Sequence, residues 1–112
     1  MSDGMKRAFA ATKATRQDTG PKLGEVAARI TAHLQRFAAD PATNAYDAAN
    51  MTWPYTEPCA RERGSKVGVH YKSFSGCRDM LVKADALAYL AWLDGGGVGK
   101  VDDWRRAVKG AT

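Results

Sequence analysis

From Gly20-Pro21 to Asp40-Pro41, apolar side chains recur at steps of three and four: Leu23, Val26, Ala27, Ile30, Leu34 and Phe37. That spacing puts one apolar stripe on an α-helix and requires a core for the stripe to face. Pro21 suits the first helical position, where a missing N–H costs nothing. Asp40 precedes a proline and so disfavours the α region, which closes the helix. Arg29 and Arg36 fall outside the stripe. His33 lies beside it, with no second metal ligand near it in sequence.

A second period appears further on. In residues 66–74, Val67, Val69 and Tyr71 share one face while Gly68, His70 and Lys72 share the other, the alternation of a half-buried strand. Ser75-Gly76-Cys77-Arg78 reads as a hairpin connection and residues 79–82 as the return strand. Between helix and strand, Pro41-Ala42-Thr43-Asn44 is a turn and residues 45–51 a short helical turn. Thr52-Trp53-Pro54-Tyr55-Thr56-Glu57-Pro58 is an extended edge or loop, because its two prolines exclude a central strand. A second helix with few polar residues runs over 83–93 and ends at Gly95-Gly96-Gly97. Asp102 caps a short last helix, with Asp103 in its first turn. The fold class is α+β: an N-terminal amphipathic helix, a small antiparallel sheet of two or three strands, a buried C-terminal helix and a short terminal helix.

A chain of 112 residues has room for one modest core and not two. Residues 20–112 therefore form one domain. Residues 1–19, with Lys6, Arg7, Lys13 and Arg16 against Asp3 and Asp18, form a flexible basic arm. No apolar run is long enough to span a membrane, and the first residues give out before a signal-peptide core forms. A cytoplasmic location is expected. Two cysteines, Cys59 and Cys77, make no disulfide framework.

Charge is where the sequence points toward function. The net charge is +5, and four of those charges fall in residues 61–83. There Arg61, Arg63, Lys66, Lys72, Arg78 and Lys83 stand against only Glu62 and Asp79. A local excess of this kind attracts anions more than an even spread would. With His70 on the same strand, these are the candidate binding residues. Trp53 and Tyr55 are candidate aromatic contacts, either capping the core or stacking on a base or partner side chain.

No catalytic constellation is readable. Gly95-Gly96-Gly97-Val98-Gly99-Lys100 departs from a phosphate-binding P-loop: Asp94 stands where the first glycine belongs, Val101 where Ser or Thr would hold magnesium, and a helix precedes it. Cys59, His70 and Cys77 lack the paired spacing of a zinc site. His70 has no fixed relation to either thiol and no orienting third group, so a cysteine nucleophile is not indicated. No cofactor, no metal and no enzymatic activity are expected.

Three resemblances bear on the partner. Residues 67–93, a basic hairpin running directly into an alanine-rich helix, resemble the strand-strand-helix core of phage integrase arm-binding domains and related plant transcription-factor domains. That likeness implies a sheet laid in the major groove, with Arg61, Arg63, Lys66, Lys72 and Arg78 mainly on phosphates and a first strand running through Trp53-Pro54. The helix–strands–helix order is also similar to a double-stranded-RNA-binding domain, but that family opens its last helix with a lysine cluster and this chain has Lys83-Ala84-Asp85-Ala86. The run from Lys83 to Asp94 followed by Gly97-Val98-Gly99 resembles the C-terminal part of small phage or prophage accessory proteins, which implies a stoichiometric inhibitor of host machinery, including the anti-CRISPR type. The expected function is a non-catalytic basic binding protein contacting nucleic acid or a host nucleoprotein complex. The alternative is a protein–protein inhibitor of a host defence complex that does not touch nucleic acid, for which Trp53, Trp92 and Trp104 are candidate anchors.

Overall fold

The computed structural model of the chain describes residues 20–72 and 76–111. The arm expected over 1–19 lies outside the described residues, as does the 73–75 part of the expected strand and hairpin connection. The chain is α+β, with elements in the order α1 (Leu23–Ala39), β1 (Cys59–Arg63), β2 (Lys66–His70), β3 (Asp79–Val82), α2 (Lys83–Asp94) and α3 (Val101–Ala111).

Helix α1 buries Val26, Ala27, Ile30, Leu34 and Phe37, which are residues of the apolar stripe. Its first turn begins at Leu23, two residues later than a proline at the first helical position would require. Lys22 is the N-cap, and its backbone N–H donates to the Glu25 carboxylate at 3.1 Å, which satisfies a group that the helix itself leaves unpaired. At the other end Asp40 turns extended. Its carboxylate accepts from the Ala42 N–H and the Thr43 hydroxyl, so it caps the turn that follows.

The sheet has three antiparallel strands in the order β1-β2-β3. Gly64 and Ser65 join β1 to β2, with Arg63 opposite Lys66 and Gly64 at φ 63°. Glycine at a positive φ in the first turn position suits a two-residue hairpin. On β3, Leu81 lies opposite Val67 and Asp79 opposite Val69. Ala60, Val67, Val69 and Leu81 are buried together with the α1 stripe and with Ala86, Tyr89, Leu90 and Leu93 of α2. Helices α1 and α2 therefore cover one face of the sheet.

Strand β1 is at an edge, where every second residue turns its N–H and C=O away from the ladder. Thr31 of α1 answers one such residue. Its Oγ1 accepts from the Ala60 N–H at 2.8 Å and lies 3.0 Å from the Ala60 carbonyl and 2.9 Å from its own helix at Ala27 O. A second link joins α1 to the end of α2: Asp94 accepts from His33 Nε2 at 2.8 Å and from Arg29. Arg36 donates to His33 Nδ1, which leaves Nε2 as the nitrogen with a hydrogen to give. The His33 hydrogen bond and the Arg29 charge hold the Asp94 carboxyl below its ordinary range.

Three local expectations are corrected. The strand expected over 66–74 ends at His70, because the Tyr71 carbonyl accepts from the Thr56 N–H at 2.7 Å and Lys72 pairs with Thr56 in an isolated parallel bridge. The first strand does not run through Trp53-Pro54; it begins after Pro58. Residues 45–51 form a turn, not a helix. Asp47 and Thr52 exchange both backbone hydrogen bonds, and the Asp47 carboxylate takes the N–H groups of Ala49 and Asn50. Such local bonds compete with a helix for the same donors. The Asn44 side chain then fastens the next segment to α1, accepting from Tyr55 N–H and donating to the carbonyls of Tyr55 and Ala38 at 2.9–3.0 Å.

The glycine run after α2 is structural. A Cβ on Gly97 would lie 2.3 Å from the Trp92 ring, and one on Gly99 2.7 Å from the Asp103 side chain. The Gly99 carbonyl accepts from the buried Tyr89 hydroxyl at 2.8 Å. Helix α3 thus starts close against α2, with Trp104 packed on Tyr89 at 5.8 Å between ring centroids. At its first residue, the Val101 N–H donates to the Tyr71 hydroxyl at 3.0 Å, which donates to Asp79 at 2.7 Å. One phenol ties β2, β3 and α3 together.

Two substitutions test this framework. Thr31→Val keeps the shape but strands the Ala60 N–H, and is expected to lower unfolding stability by about 1–3 kcal/mol in a denaturant titration, with Thr31→Ser close to the parent. Gly97→Ala forces the chain off Trp92 and is expected to lower the melting temperature; an unchanged midpoint would show that the turn can yield freely.

Candidate nucleic-acid interface

Strand alternation sorts the basic segment into two faces. On β1, Ala60 points into the core, so Arg61 and Arg63 point the other way. On β2, Val67 and Val69 point inward, so Lys66, Gly68 and His70 point outward. On β3, Met80 and Val82 stand opposite Gly68 and Lys66 and are about half exposed, at 43% and 47%. The acids of the segment fall on the other side. Glu62 shares the parity of Ala60 and lies beside Gly24, and Asp79 is bonded to Tyr71. This face therefore carries Arg61 and Arg63 on its β1 edge, Lys66 at one end of the middle strand, and Met80 and Val82 on its β3 edge. Among the described residues none of these three cations has a carboxylate within ion-pair distance.

The middle of this face and its His70 end are covered. A Cβ on Gly68 would lie 2.6 Å from the Cys77 sulfur, and the Arg63 guanidinium points to that sulfur at 3.5 Å. The chain around Cys77 thus crosses the face at Gly68. His70, 7% exposed, is buried with its Nδ1 3.1 Å from the Lys72 carbonyl. It offers no open side chain to a partner, contrary to its place among the candidate binding residues.

Lys72 and Arg78 belong to a different cluster. Lys72 Nζ donates to the Thr52 hydroxyl at 3.0 Å. Arg78 lines a cavity of about 400 Å³ with Tyr55, Tyr71, Lys100 and Arg106. Lys100 stands with its Nζ 5.6 Å from the Tyr55 ring centroid and 5.1 Å from that of Tyr71. Its ammonium is held below the ordinary lysine range, first by partial burial and then by the charges of Arg78 and Lys72. Lys83, the first residue of α2, lines a third concavity with Lys22 and Glu62.

The aromatic candidates separate as well. Trp53 is 50% exposed and meets Tyr46 edge-on at 4.5 Å, with Met51 exposed nearby in the same turn. Tyr55 is a core residue at 6% exposure, packed against Phe37 and Tyr71, and its hydroxyl is pushed up to about 12 by burial. It cannot serve as an open stacking platform. Trp104 is buried and Trp92 partly so.

Met80 and Val82 were not singled out by sequence reasoning, although both alternate with Leu81 on the return strand. Lys100 entered only as the last residue of the glycine run set aside as a phosphate-binding loop, and nothing local joins it to Tyr55, Tyr71 and Arg78, which come from distant parts of the chain. Among the described residues, no three His, Cys, Asp or Glu side chains gather as a metal site would require, and no helix is long and apolar enough to cross a membrane. No protein-family model, curated protein or solved structure matches the chain.

Proposed function

We propose that this chain is a non-catalytic binding protein that contacts duplex nucleic acid through the bare face of its sheet. The observation that carries the reading is the sorting of charge by strand parity: Arg61, Arg63 and Lys66 project from the face turned away from the helices, while Glu62 and Asp79 project from the opposite one. Unpaired cations on a firm support are what a phosphate backbone rewards, through release of its condensed counterions.

Size supports the same reading. Three strands spaced about 4.8 Å apart make a face roughly 10 Å wide, which fits a major groove roughly 12 Å wide. Met80 and Val82 stand on the β3 edge of that face, where apolar contact with thymine methyl groups is available. The order β1-β2-β3 followed directly by a helix on the back accords with the likeness to integrase arm-binding domains, with the first strand at Cys59–Arg63 instead of Trp53-Pro54. Helix α2 lies behind the sheet, which leaves Arg61, Arg63 and Lys66 to face the groove beside the Cys77 crossing at Gly68.

A second reading rests on a separate observation. Tyr46, Met51 and Trp53 form an exposed apolar patch on the 46–53 turn, and exposed aromatic residues are favoured anchors at protein interfaces. This patch suits a small phage or prophage inhibitor of a host defence complex, acting in the cytoplasm on a protein surface.

Fluorescence anisotropy with a labelled duplex at several salt concentrations separates the two. Duplex binding is expected to weaken with salt at a slope of about 0.9 per phosphate neutralised. Each of Arg61→Gln, Arg63→Gln and Lys66→Gln is expected to reduce that slope by about one, while Trp53→Ala leaves it unchanged. No binding at low salt, or a triple variant that binds like the parent, removes the nucleic-acid reading.

A further inference from the structure

We propose that Lys72, Arg78 and Lys100 form a second binding site, a pocket for a phosphate group between the 52–55 segment and the first turn of α3. The site is distinct from the bare face of the sheet and does not depend on the reading given to that face.

The three cations come from separate elements. Lys72 follows the end of β2, Arg78 immediately precedes β3, and Lys100 immediately precedes α3. They line two adjoining cavities, of about 400 and 610 Å³, which share Pro54 and Lys100. Together these are larger than one phosphate, which leaves room for the group that bears it.

The cations lack the partners that like charges at close quarters ordinarily recruit. Among the described residues none of the three has a carboxylate within ion-pair distance. The Lys100 ammonium, partly buried above two tyrosine rings, has no hydrogen-bond acceptor among the described residues, and Lys72 uses one of its three donors on Thr52. The acids that line the same cavities, Asp102 and Asp103 in one and Asp47 in the other, are engaged by other groups. Asp103 accepts from the Lys100 backbone N–H and from Arg106, Asp102 lies 3.7 Å from Arg105, and Asp47 is taken up by Ala49 and Asn50. The Lys100 proton is held less firmly than usual, with Arg78 and Lys72 outweighing Asp103 and Asp102 among the charges that act on it. An anion seated here relieves that repulsion. A tetrahedral oxyanion can take donors from three directions at once, and the Thr52 hydroxyl adds another polar group to the wall.

The test is an amide NMR titration of the full chain with sodium pyrophosphate, ionic strength held constant with sodium chloride. Saturable shifts are expected at the amides of Thr52, Arg78 and Lys100. Affinity is expected to fall about tenfold or more in Arg78→Gln and in Lys100→Met, and to hold in Arg61→Gln. Should Lys100→Met fail to fold, Arg78→Gln decides, because the Arg78 side chain is exposed and bonded to no described residue. Shifts that chloride reproduces, or an Arg78→Gln variant that binds pyrophosphate like the parent, overturn the proposal. The duplex assay identifies the source. If Arg78→Gln also weakens duplex binding, the pocket takes a backbone phosphate. If it loses pyrophosphate alone, the ligand is a free phosphate ester. If the parent binds pyrophosphate but no duplex, the pocket stands and the reading of the sheet face falls.

Discussion

A sheet has two faces, and this chain has apolar side chains enough for one. The stripe of α1 and the buried positions of α2 meet Ala60, Val67, Val69 and Leu81 on that face. The opposite face is left to whatever strand alternation delivers there, which is Arg61, Arg63 and Lys66 with Met80 and Val82. The arrangement depends on β1 remaining paired, and β1 has little of its own to hold it. It buries one side chain, Ala60, and sits at the sheet edge. The Thr31 hydroxyl, reaching across from α1 to the Ala60 N–H, closes the gap that a short polar edge strand leaves open.

That dependence explains what the sequence disclosed and what it hid. Helix α1 was legible because its apolar stripe and its ends lie in one contiguous stretch. The β3 strand and α2 were legible for the same reason. Strand β1 was not. Cys59-Ala60-Arg61-Glu62-Arg63 has no β-branched or aromatic residue, follows a proline, and takes its outer hydrogen bonds from a threonine 29 positions away. Nothing within a window of ten residues encodes it. The charge excess over 61–83 was visible as composition, but its division was not. Assigning Arg61, Arg63 and Lys66 to one surface and Lys72 and Arg78 to another requires knowing that Tyr71 leaves the strand to meet Thr56.

His70 and Tyr55 illustrate the same limit from the other direction. Alternation places His70 on the outward face, and it is there. It is buried all the same, on a face whose middle is crossed by the chain around Cys77. Tyr55, between two prolines, reads as loop. It is core because Asn44 grips its backbone on both sides and turns its ring toward Phe37. A local pattern gives the direction of a side chain; what lies over it comes from elsewhere in the chain.

Charge that is not paired internally has a stability cost, and the cost can be located. At Lys100 the folded chain holds a proton less firmly than the unfolded chain does. Between the folded and unfolded pKa values the unfolded state binds more protons, so this residue's contribution to stability rises as pH rises through that window and is unfavourable below it. Near neutral pH the cluster therefore opposes folding, and the opposition is offset by the core and by the bond from Val101 through Tyr71 to Asp79. An anion that binds only the folded form opposes this contribution, with a stabilisation that grows with the logarithm of its concentration over its Kd. The Tyr71 bond sets Lys100 beside Lys72 and Arg78 before any ligand arrives, so the ordering cost has already been met when an anion enters.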